Sequence, residues 1–316
     1  MRVLALRSRG QENRAMSQSE EAASARGLDR RSVRRRFDRR AESYEDASRL
    51  EQEIGVRMLE RLDYLRVSPR RILDAGAGTS REAQALRKRY PDSRVFAVDH
   101  SLGLLRAARS GRGLIRRLSG DAPPASVCAD LERLPFPNAV FDFVWSNMAI
   151  HWLDEPLPAL KELARVVSPD APLLVSALGP DSLVELRRVA GSGRVHSFMD
   201  MHDLGDRIVG AGFTAPVVDS ERLTVTYPDV EALLRELRNT GQTSSLANRL
   251  RGLSGRGLLS RLRGMGLDSD GRVAVTFEIV YALAWRAAPR RQDDRAVIRF
   301  EGKSGARSDP SRRNTP

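Results

Sequence analysis

The stretch RILDAGAGTSREAQAL, Arg71–Leu86, decides the fold. Its first residues form a short apolar run typical of a buried parallel strand, and its last residues have the composition of a helix. Between them lie Gly76 and Gly78, with Ser80 at the position where nucleotide-binding turns often carry a third glycine. A strand, a glycine turn and a helix in this order place free main-chain amides next to an adenosine-containing ligand.

Short apolar runs and helical segments alternate along residues 71–178, as they do in a parallel sheet with helices on both faces. Two further β-rich runs follow, ERLTVTYP at 221–228 and RVAVTFEIVYALAW at 272–285. This pattern predicts an α/β fold with a doubly wound, mostly parallel, seven-stranded sheet. We expect a helical arm before the sheet, and a helical and loop insert at about 229–270 before the last strand.

The charge of the chain is concentrated at its ends. Residues 1–40 hold 12 arginines against 5 acids, and residues 286–316 hold 9 basic residues against 4 acids, so the part between them sums to zero. Enzymes that bind nucleic acid carry basic residues on the folded body, so we expect no nucleic-acid partner. We expect three regions: a disordered basic extension at 1–30, a folded domain at 31–286 and a disordered basic tail at 287–316.

The apolar runs are short, and the chain has a single cysteine. None of the runs reaches 18 residues, so we expect no membrane-spanning helix. The lone cysteine, Cys128, excludes an intramolecular disulfide and a thiolate metal cluster, and we expect no metal. Its apolar surroundings predict a core position. A single thiol fits a reducing compartment, and we expect a cytoplasmic location.

The ligand of the glycine turn is decided by the acids around it. Gly76 and Gly78 alone suit either a dinucleotide or S-adenosylmethionine (SAM), because both present an anionic group to a helix N-terminus. Asp74, two residues before Gly76, would repel a pyrophosphate but suits the cationic aminopropyl end of SAM. Asp99 ends the second strand, where an acid pairs with the ribose hydroxyls of either cofactor.

A third acid, Asp130, follows the third predicted strand and can accept a hydrogen bond from an adenine amino group. The main-chain amide of Leu131, the next residue, can address the adenine ring. Acids at three strand ends together with the glycine turn resemble the class I SAM-dependent methyltransferases, and this resemblance implies SAM as the cofactor. Ser80 departs from the third glycine that is common in that class, and we expect its hydroxyl to cap the following helix.

Segments outside the cofactor motifs resemble a narrower family, the malonyl-acyl-carrier-protein O-methyltransferases of biotin synthesis. The resemblance covers roughly residues 31–286 and is carried by five segments. These are RRRFDRRAESYEDASRLEQEIGVRMLERLDYL (34–65), SNMAIHW (146–152), SFMDMHDLGDRIVGAGF (197–213), ERLTVTYPDVEALLRELRNTG (221–241) and VTFEIVYALAW (275–285). It implies methyl transfer from SAM to the free carboxylate of a malonyl thioester on acyl carrier protein, with malonyl-coenzyme A left open as the acceptor.

Candidate catalytic residues have orienting roles, because a malonyl carboxylate is already ionised at neutral pH and needs no general base. Tyr44 is expected to close over the cofactor or contact the acceptor. His151, which follows the fourth strand, is expected to hydrogen-bond the acceptor. Arginine binds carboxylates bidentately; Arg187 is the candidate for the substrate carboxylate, and the sequence leaves Arg188, Arg39 and Arg40 open.

The predicted insert contains residues 248–264, a stretch with five arginines and no acid. Because carrier proteins are acidic, we expect it to be a lid at the carboxyl ends of the sheet and a docking surface for the carrier. Two other functions remain open from the sequence. One is a respiratory-complex assembly factor of the same fold that acts on protein arginine, and the other is a non-catalytic scaffold with the SAM-binding fold.

Overall fold

Seven strands form one sheet at the centre of the computed structural model, which describes residues 27–110, 124–191, 193–244, 246 and 255–288. The strands are β1 (Arg71–Ala75), β2 (Arg94–Asp99), β3 (Ala125–Cys128), β4 (Phe143–Ser146), β5 (Pro172–Leu178), β6 (Phe213–Tyr227) and β7 (Val273–Arg286). Most of the two expected disordered ends, and residues 247–254 of the insert, lie outside the described residues.

The sheet has the strand order β3-β2-β1-β4-β5-β7-β6. The five strands from β3 to β5 are parallel, and β7 pairs antiparallel with both β5 and β6. This topology confirms the predicted doubly wound, mostly parallel sheet. It also brings the carboxyl ends of β1, β2 and β4 to one edge, with β1 in the middle.

Helices precede the sheet and connect its strands. They are α1 (Arg30–Ala47), α2 (Arg49–Arg61), α3 (Arg81–Arg89), α4 (Leu102–Ser110), α5 (Leu157–Val166), α6 (Val184–Ala190), α7 (Met201–Gly210), α8 (Val230–Asn239) and α9 (Gly255–Arg263). The first two form the predicted helical arm. The last two form the described part of the predicted insert.

The core has two layers because neighbouring residues of a strand face opposite sides of the sheet. In β1, Ile72 packs into a cluster with Met58 of α2 and Leu86 of α3. Leu73 packs into a second cluster on the other face, with Leu163 of α5 and Ile208 of α7. All six side chains are fully buried. The helices therefore cover both faces of the sheet, as a doubly wound fold requires.

The insert leaves the sheet on the side where the parallel strands end. Tyr227, the last residue of β6, pairs with Val273, the first residue of β7. Leu178, the last residue of β5, pairs with Ile279, six residues further along β7. The β6–β7 hairpin thus extends past the carboxyl end of β5. From there α8 packs against α1, and α9 packs against α6.

β6 begins at Phe213, eight residues before its predicted start at Glu221. The first half of the strand escaped the sequence pattern because it contains Pro216 and several exposed polar residues. A register shift between Thr214 and Val217 accommodates the proline. Proline is tolerated at this place because β6 is an edge strand, where a main-chain N–H can go unpaired.

Ser80 does not cap α3, and that expectation is wrong. Its backbone is left-handed, with φ of 58°, and its buried hydroxyl has no hydrogen-bond partner among the described residues. Glycine adopts this conformation without the steric cost that a side chain brings. The position therefore favours glycine through its backbone geometry, and serine occupies it at a cost in stability.

We predict that Ser80→Gly raises the free energy of unfolding by about 1 kcal/mol. The substitution relieves the left-handed strain and removes a buried hydroxyl without a partner. These gains in free energy exceed the entropic cost of restricting glycine, which has more backbone freedom in the unfolded chain. Thermal and urea unfolding measure the effect. Ser80→Ala removes the hydroxyl but keeps the strain, so its stability should lie between the other two proteins. A Ser80→Gly protein less stable than wild type would contradict the prediction.

Candidate active site

A cavity of about 590 Å³ lies at the carboxyl ends of β1, β2 and β4, and residues of α1 form one of its walls. A cavity of this size holds a small organic cofactor. Six of the residues predicted for the site line it: Tyr44, Gly76, Gly78, Asp99, Asp130 and Leu131. The structure thus brings together residues from α1 and from three strand ends that lie far apart in sequence.

The glycine turn after β1 is held against the neighbouring loops. The N–H groups of Gly76 and Ala77 donate to the carbonyl oxygen of Val98 at 2.8 and 2.9 Å. Gly76 has φ of 82°, and a Cβ on it would lie 2.2 Å from the Cβ of Ala149, in the loop after β4. This position has both the backbone and the close contact that only glycine permits. The turn therefore presents bare main chain to the cavity.

Asp99 is buried and positions the turn. Its carboxylate accepts hydrogen bonds from the main-chain N–H of Gly78 at 2.9 Å and of Ser101 at 2.7 Å. Burial raises the pKa of Asp99, while His100 and these two hydrogen bonds oppose the rise. Each carboxylate oxygen has a second lone pair, so binding of ribose hydroxyls remains compatible with the observed contacts. Its contact with the ribose stays a prediction.

Asp74 lies beneath the turn and does not line the cavity. It is fully buried and accepts a main-chain hydrogen bond from Ala83, but its Oδ2 atom has no partner among the described residues. Burial, followed by the nearby Glu82 and Asp99, raises the pKa of Asp74 well above its usual range. A buried carboxylate oxygen without a donor is rare in folded proteins.

Two further acids, the buried Glu51 of α2 and the half-buried Glu82 of α3, lie close to this group, and the sequence patterns did not single them out. Burial raises the pKa of both side chains, that of Glu82 to about 7. Both line a small cavity directly beside Gly76 and Gly78. Carboxylates gathered at one side of a glycine turn favour a cationic ligand group. They fit the ammonium and sulfonium of SAM, and they do not fit a pyrophosphate.

Asp130 and Leu131 line the end of the cavity that is predicted to hold the adenine. One oxygen of Asp130 accepts from Arg30 at 2.5 Å, and the other accepts from the main-chain N–H of Glu132 at 3.0 Å. Arg30 also pairs with Glu132 at 2.7 Å. These ion pairs fasten the first residue of α1 to the loop after β3. Asp130 therefore holds the arm over the cavity, in addition to the predicted contact with the adenine amino group.

Tyr44 lies on the inner side of α1, against the turn. Its ring carbon Cε1 would lie 3.7 Å from a Cβ on Gly78, and the ring contacts Phe37 edge-on. Burial, followed by Glu51 and Glu82, raises the pKa of Tyr44 well above its usual range. The phenol therefore stays protonated and can act as a hydrogen-bond donor at the cavity wall.

His151 lies beside the cofactor cavity and not in it. It lines a neighbouring cavity of about 780 Å³, and Leu153 lines both spaces. Its ring contacts Trp152 and Phe198. Burial, followed by the nearby His196, lowers the pKa of His151 to about 3. Its Nδ1 accepts the main-chain N–H of Leu178 at 3.4 Å, which leaves the ring proton of this neutral side chain on Nε2.

Arg187 is placed where it supports the main chain. Its guanidinium donates to the carbonyl oxygens of Pro180 and Ser182, both at 2.9 Å, and of His196 at 3.3 Å. It lines none of the cavities described here. The main chain thus engages this guanidinium, and its contact with the substrate carboxylate stays a prediction. The arginine fixes the loop that follows β5 through carbonyl groups five to nine residues away in sequence.

Cys128 is exposed and lines the cofactor cavity, so the expected core position is wrong. The reason is the strand order, which puts β3 at the edge of the sheet. Within the residues that the structure describes, no helix is long and apolar enough to cross a membrane. In the same part of the chain, no group of three or more histidines, cysteines or acids is placed to hold a metal ion.

Fold and cavity together define a class I SAM-dependent methyltransferase. The family described as a methyltransferase domain matches residues 73–175. Among solved structures, the YcgJ protein of Bacillus subtilis is 18% identical, with a TM-score of 0.53 over 73% of this chain and 98% of that one. A Bacillus halodurans protein is 15% identical, with a TM-score of 0.54 over 74% and 99%. These structures share the fold of the chain.

The chain belongs to the malonyl-acyl-carrier-protein O-methyltransferase family. A relative of that name from Laribacter hongkongensis is 44% identical, over 86% of this chain and 96% of its own length. One from Methylovorus sp. is 42% identical, over 83% and 91%, and one from Halorhodospira halophila is 40% identical, over 88% and 95%. The assembly-factor and scaffold alternatives gain no support from these relatives.

We predict that Glu82→Gln stabilises the ligand-free protein at pH 8 and not at pH 5. The pKa of about 7 in the folded state lies above the value of 4.5 for an unperturbed glutamate, so the folded protein binds more protons between these values. Stability therefore falls as the pH rises from 4.5 to 7. Removing the carboxylate should add on the order of 2 kcal/mol above pH 7, measured by urea unfolding.

The matched control is Glu60→Gln, which replaces an exposed glutamate on α2. It should change stability by similar small amounts at the two pH values. A Glu82→Gln effect of equal size at pH 5 and pH 8 would contradict the assignment of the half-buried charge to Glu82.

Proposed function

We propose that the enzyme methylates the free carboxylate of a malonyl thioester on acyl carrier protein, giving the methyl ester that primes pimeloyl formation in biotin synthesis. The observation that carries this proposal is the likeness to relatives of that name over 83–88% of the chain, a length that far exceeds the methyltransferase core. A cytoplasmic location and the preference for the carrier over malonyl-coenzyme A are parts of the same proposal.

The cofactor end of the site is provided by the glycine turn and its acids. When bound, SAM supplies a methyl group attached to a cationic sulfonium. We assign its ribose to Asp99, its adenine to Asp130 and Leu131, and its cationic end to the side on which Asp74 and Glu82 lie. Tyr44 closes this end from α1 as a protonated donor, because burial keeps its pKa high.

The acceptor end needs no base, since carboxyl groups titrate near pH ~4 and the malonyl carboxylate is already a nucleophile. What the protein must supply is alignment and the removal of water. Trp152 lines the cofactor cavity, and its ring contacts those of His151 and His196. We assign to this aromatic wall the exclusion of water from the transfer point. His151, which stays neutral, donates from Nε2 to the carboxylate without placing a second cation near the sulfonium.

We predict that Asp99→Ala weakens SAM binding at least tenfold, because it removes the ribose acceptor and frees the glycine turn. Isothermal titration calorimetry measures this loss. A ligand pair separates the two causes: S-adenosylhomocysteine and its 2′-deoxyribose analogue. Loss of the 2′-hydroxyl should weaken binding to wild type and have little effect on binding to Asp99→Ala. An equal loss in both proteins would mean that Asp99 holds the turn and makes no contact with the 2′-hydroxyl.

We predict that His151→Phe raises KM for the malonyl carrier about tenfold and leaves SAM affinity unchanged. Phenylalanine keeps the ring contacts with Trp152 and Phe198 but has no donor, and a hydrogen bond to a charged group contributes about 1.5–3 kcal/mol. Steady-state kinetics with varied carrier and saturating SAM measure KM. His151→Gln retains a donor and should recover part of the loss. An unchanged kcat/KM in His151→Phe would contradict the assigned role.

The function itself is tested with the purified full chain, methyl-labelled SAM and malonyl carrier protein. The expected product is a base-labile methyl ester on the malonyl group, and acetyl carrier protein, which lacks a free carboxylate, is the negative control. Growth without biotin of a host that lacks its own methyltransferase would support the same conclusion. Binding of SAM without any ester on the carrier would overturn the proposed acceptor.

A further inference from the structure

Helix α1 carries two different faces. The inner face, with Val33, Phe37 and Ala41, is buried against α4 and the cofactor cavity. Four arginines, Arg35, Arg36, Arg39 and Arg40, lie together outside this inner face, because residues spaced by three and four positions lie close together on a helix. Residues 30–40 contain seven arginines and one aspartate. Part of the basic excess near the N-terminal end therefore lies on a folded helix.

These arginines line a groove of about 410 Å³, here called the arginine groove, defined by Ser32, Arg35, Arg36, Arg39, Arg40, Arg238, Gly241 and Thr243. Its second wall is the end of α8 and the turn after it. Hydrogen bonds join the two walls: the hydroxyl of Ser43 donates to the carbonyl oxygen of Asn239 at 2.9 Å, and Arg36 donates to Thr243. The groove is therefore a fixed feature formed by two elements of the fold.

Four of the five groove arginines form no ion pair with a carboxylate of the described residues. Arg35, Arg39, Arg40 and Arg238 are exposed, and their guanidinium groups form no ion pair or hydrogen bond with a described residue. Other arginines are paired, such as Arg57 with Glu53 and Glu221. Guanidinium groups gathered without counter-charges repel one another, and they favour a partner that brings several anions at once.

An apolar slot of about 200 Å³ lies between this groove and the cofactor cavity. Arg238 and Thr243 line both the groove and the slot, and Trp152 lines both the slot and the cofactor cavity. The side chains that line the slot are largely apolar and include Leu183, Leu186, Leu234, Leu237 and Phe277. A cationic surface, an apolar slot and the cofactor cavity thus adjoin one another.

We propose that the arginine groove is the docking surface for acidic side chains of the carrier protein, and that the apolar slot admits its thioester arm. This rests on the proposed function, which requires a large acidic partner to deliver a small acyl group to an enclosed site. A flexible arm attached to a docked protein can enter the slot while the protein remains outside. Arginine suits such a surface because it binds carboxylates through two parallel hydrogen bonds.

The test is the double charge reversal Arg39→Glu/Arg40→Glu. Its matched control is Arg66→Glu, which alters an exposed arginine in the connection that leads into β1. The measured quantity is the ratio of kcat/KM for malonyl carrier to kcat/KM for malonyl-coenzyme A. This ratio should fall at least tenfold in the double variant and stay at the wild-type value in Arg66→Glu. Thermal melting verifies that each variant is folded.

Further results distinguish carrier docking at the groove from the alternative explanations. An unchanged ratio would overturn the proposal. This includes the case in which kcat/KM falls equally for both acceptors because the groove binds a phosphate group common to them. Binding of unacylated holo-carrier, followed by fluorescence anisotropy, needs no methyl transfer and should weaken by the same factor in the double variant. If wild type binds the carrier through the groove but forms no ester, the proposed function fails and the docking surface stands.

Discussion

The carboxylate of Asp99 is the constraint on which the cofactor end of the molecule depends. One oxygen holds the N–H of Gly78 and so fixes the turn after β1, and the other holds the N–H of Ser101 and so fixes the start of α4. Leaving a buried N–H unpaired costs about 1–3 kcal/mol. With the turn fixed, Gly76 can lie against Ala149, and the ends of three strands meet around one cavity.

Much of this arrangement follows from the sequence, because the carboxyl ends of parallel strands lie at one edge of a sheet. An acid at the end of β2 and another just after β3 are visible as Asp99 and Asp130, and the glycine turn marks the end of β1. Once the alternation of strands and helices predicts the sheet, these residues are placed together without further information. The sheet and five of the six expected cofactor-site residues at the cavity follow from such local signals.

The remaining features depend on contacts that no local pattern contains. Glu82 is a surface-type residue on a helix, and its partial burial follows from how α3 packs beside the turn. Arg187 resembles a free guanidinium in sequence, yet three carbonyl groups five to nine residues away accept its hydrogen bonds. Cys128 lies in an apolar strand, and only the strand order exposes it. The backbone of Ser80 is set by the tight turn, which its residue type does not reveal.

Helix α1 faces the cofactor on one side and the arginine groove on the other. A single rigid element that contacts two ligands links their binding equilibria: if cofactor binding holds α1 in its seated position, a partner that needs α1 seated binds more tightly as well. Such coupling is reciprocal, so the partner would strengthen cofactor binding by the same factor. Under the proposed function, the arm therefore couples the binding of the two substrates without any movement of the sheet.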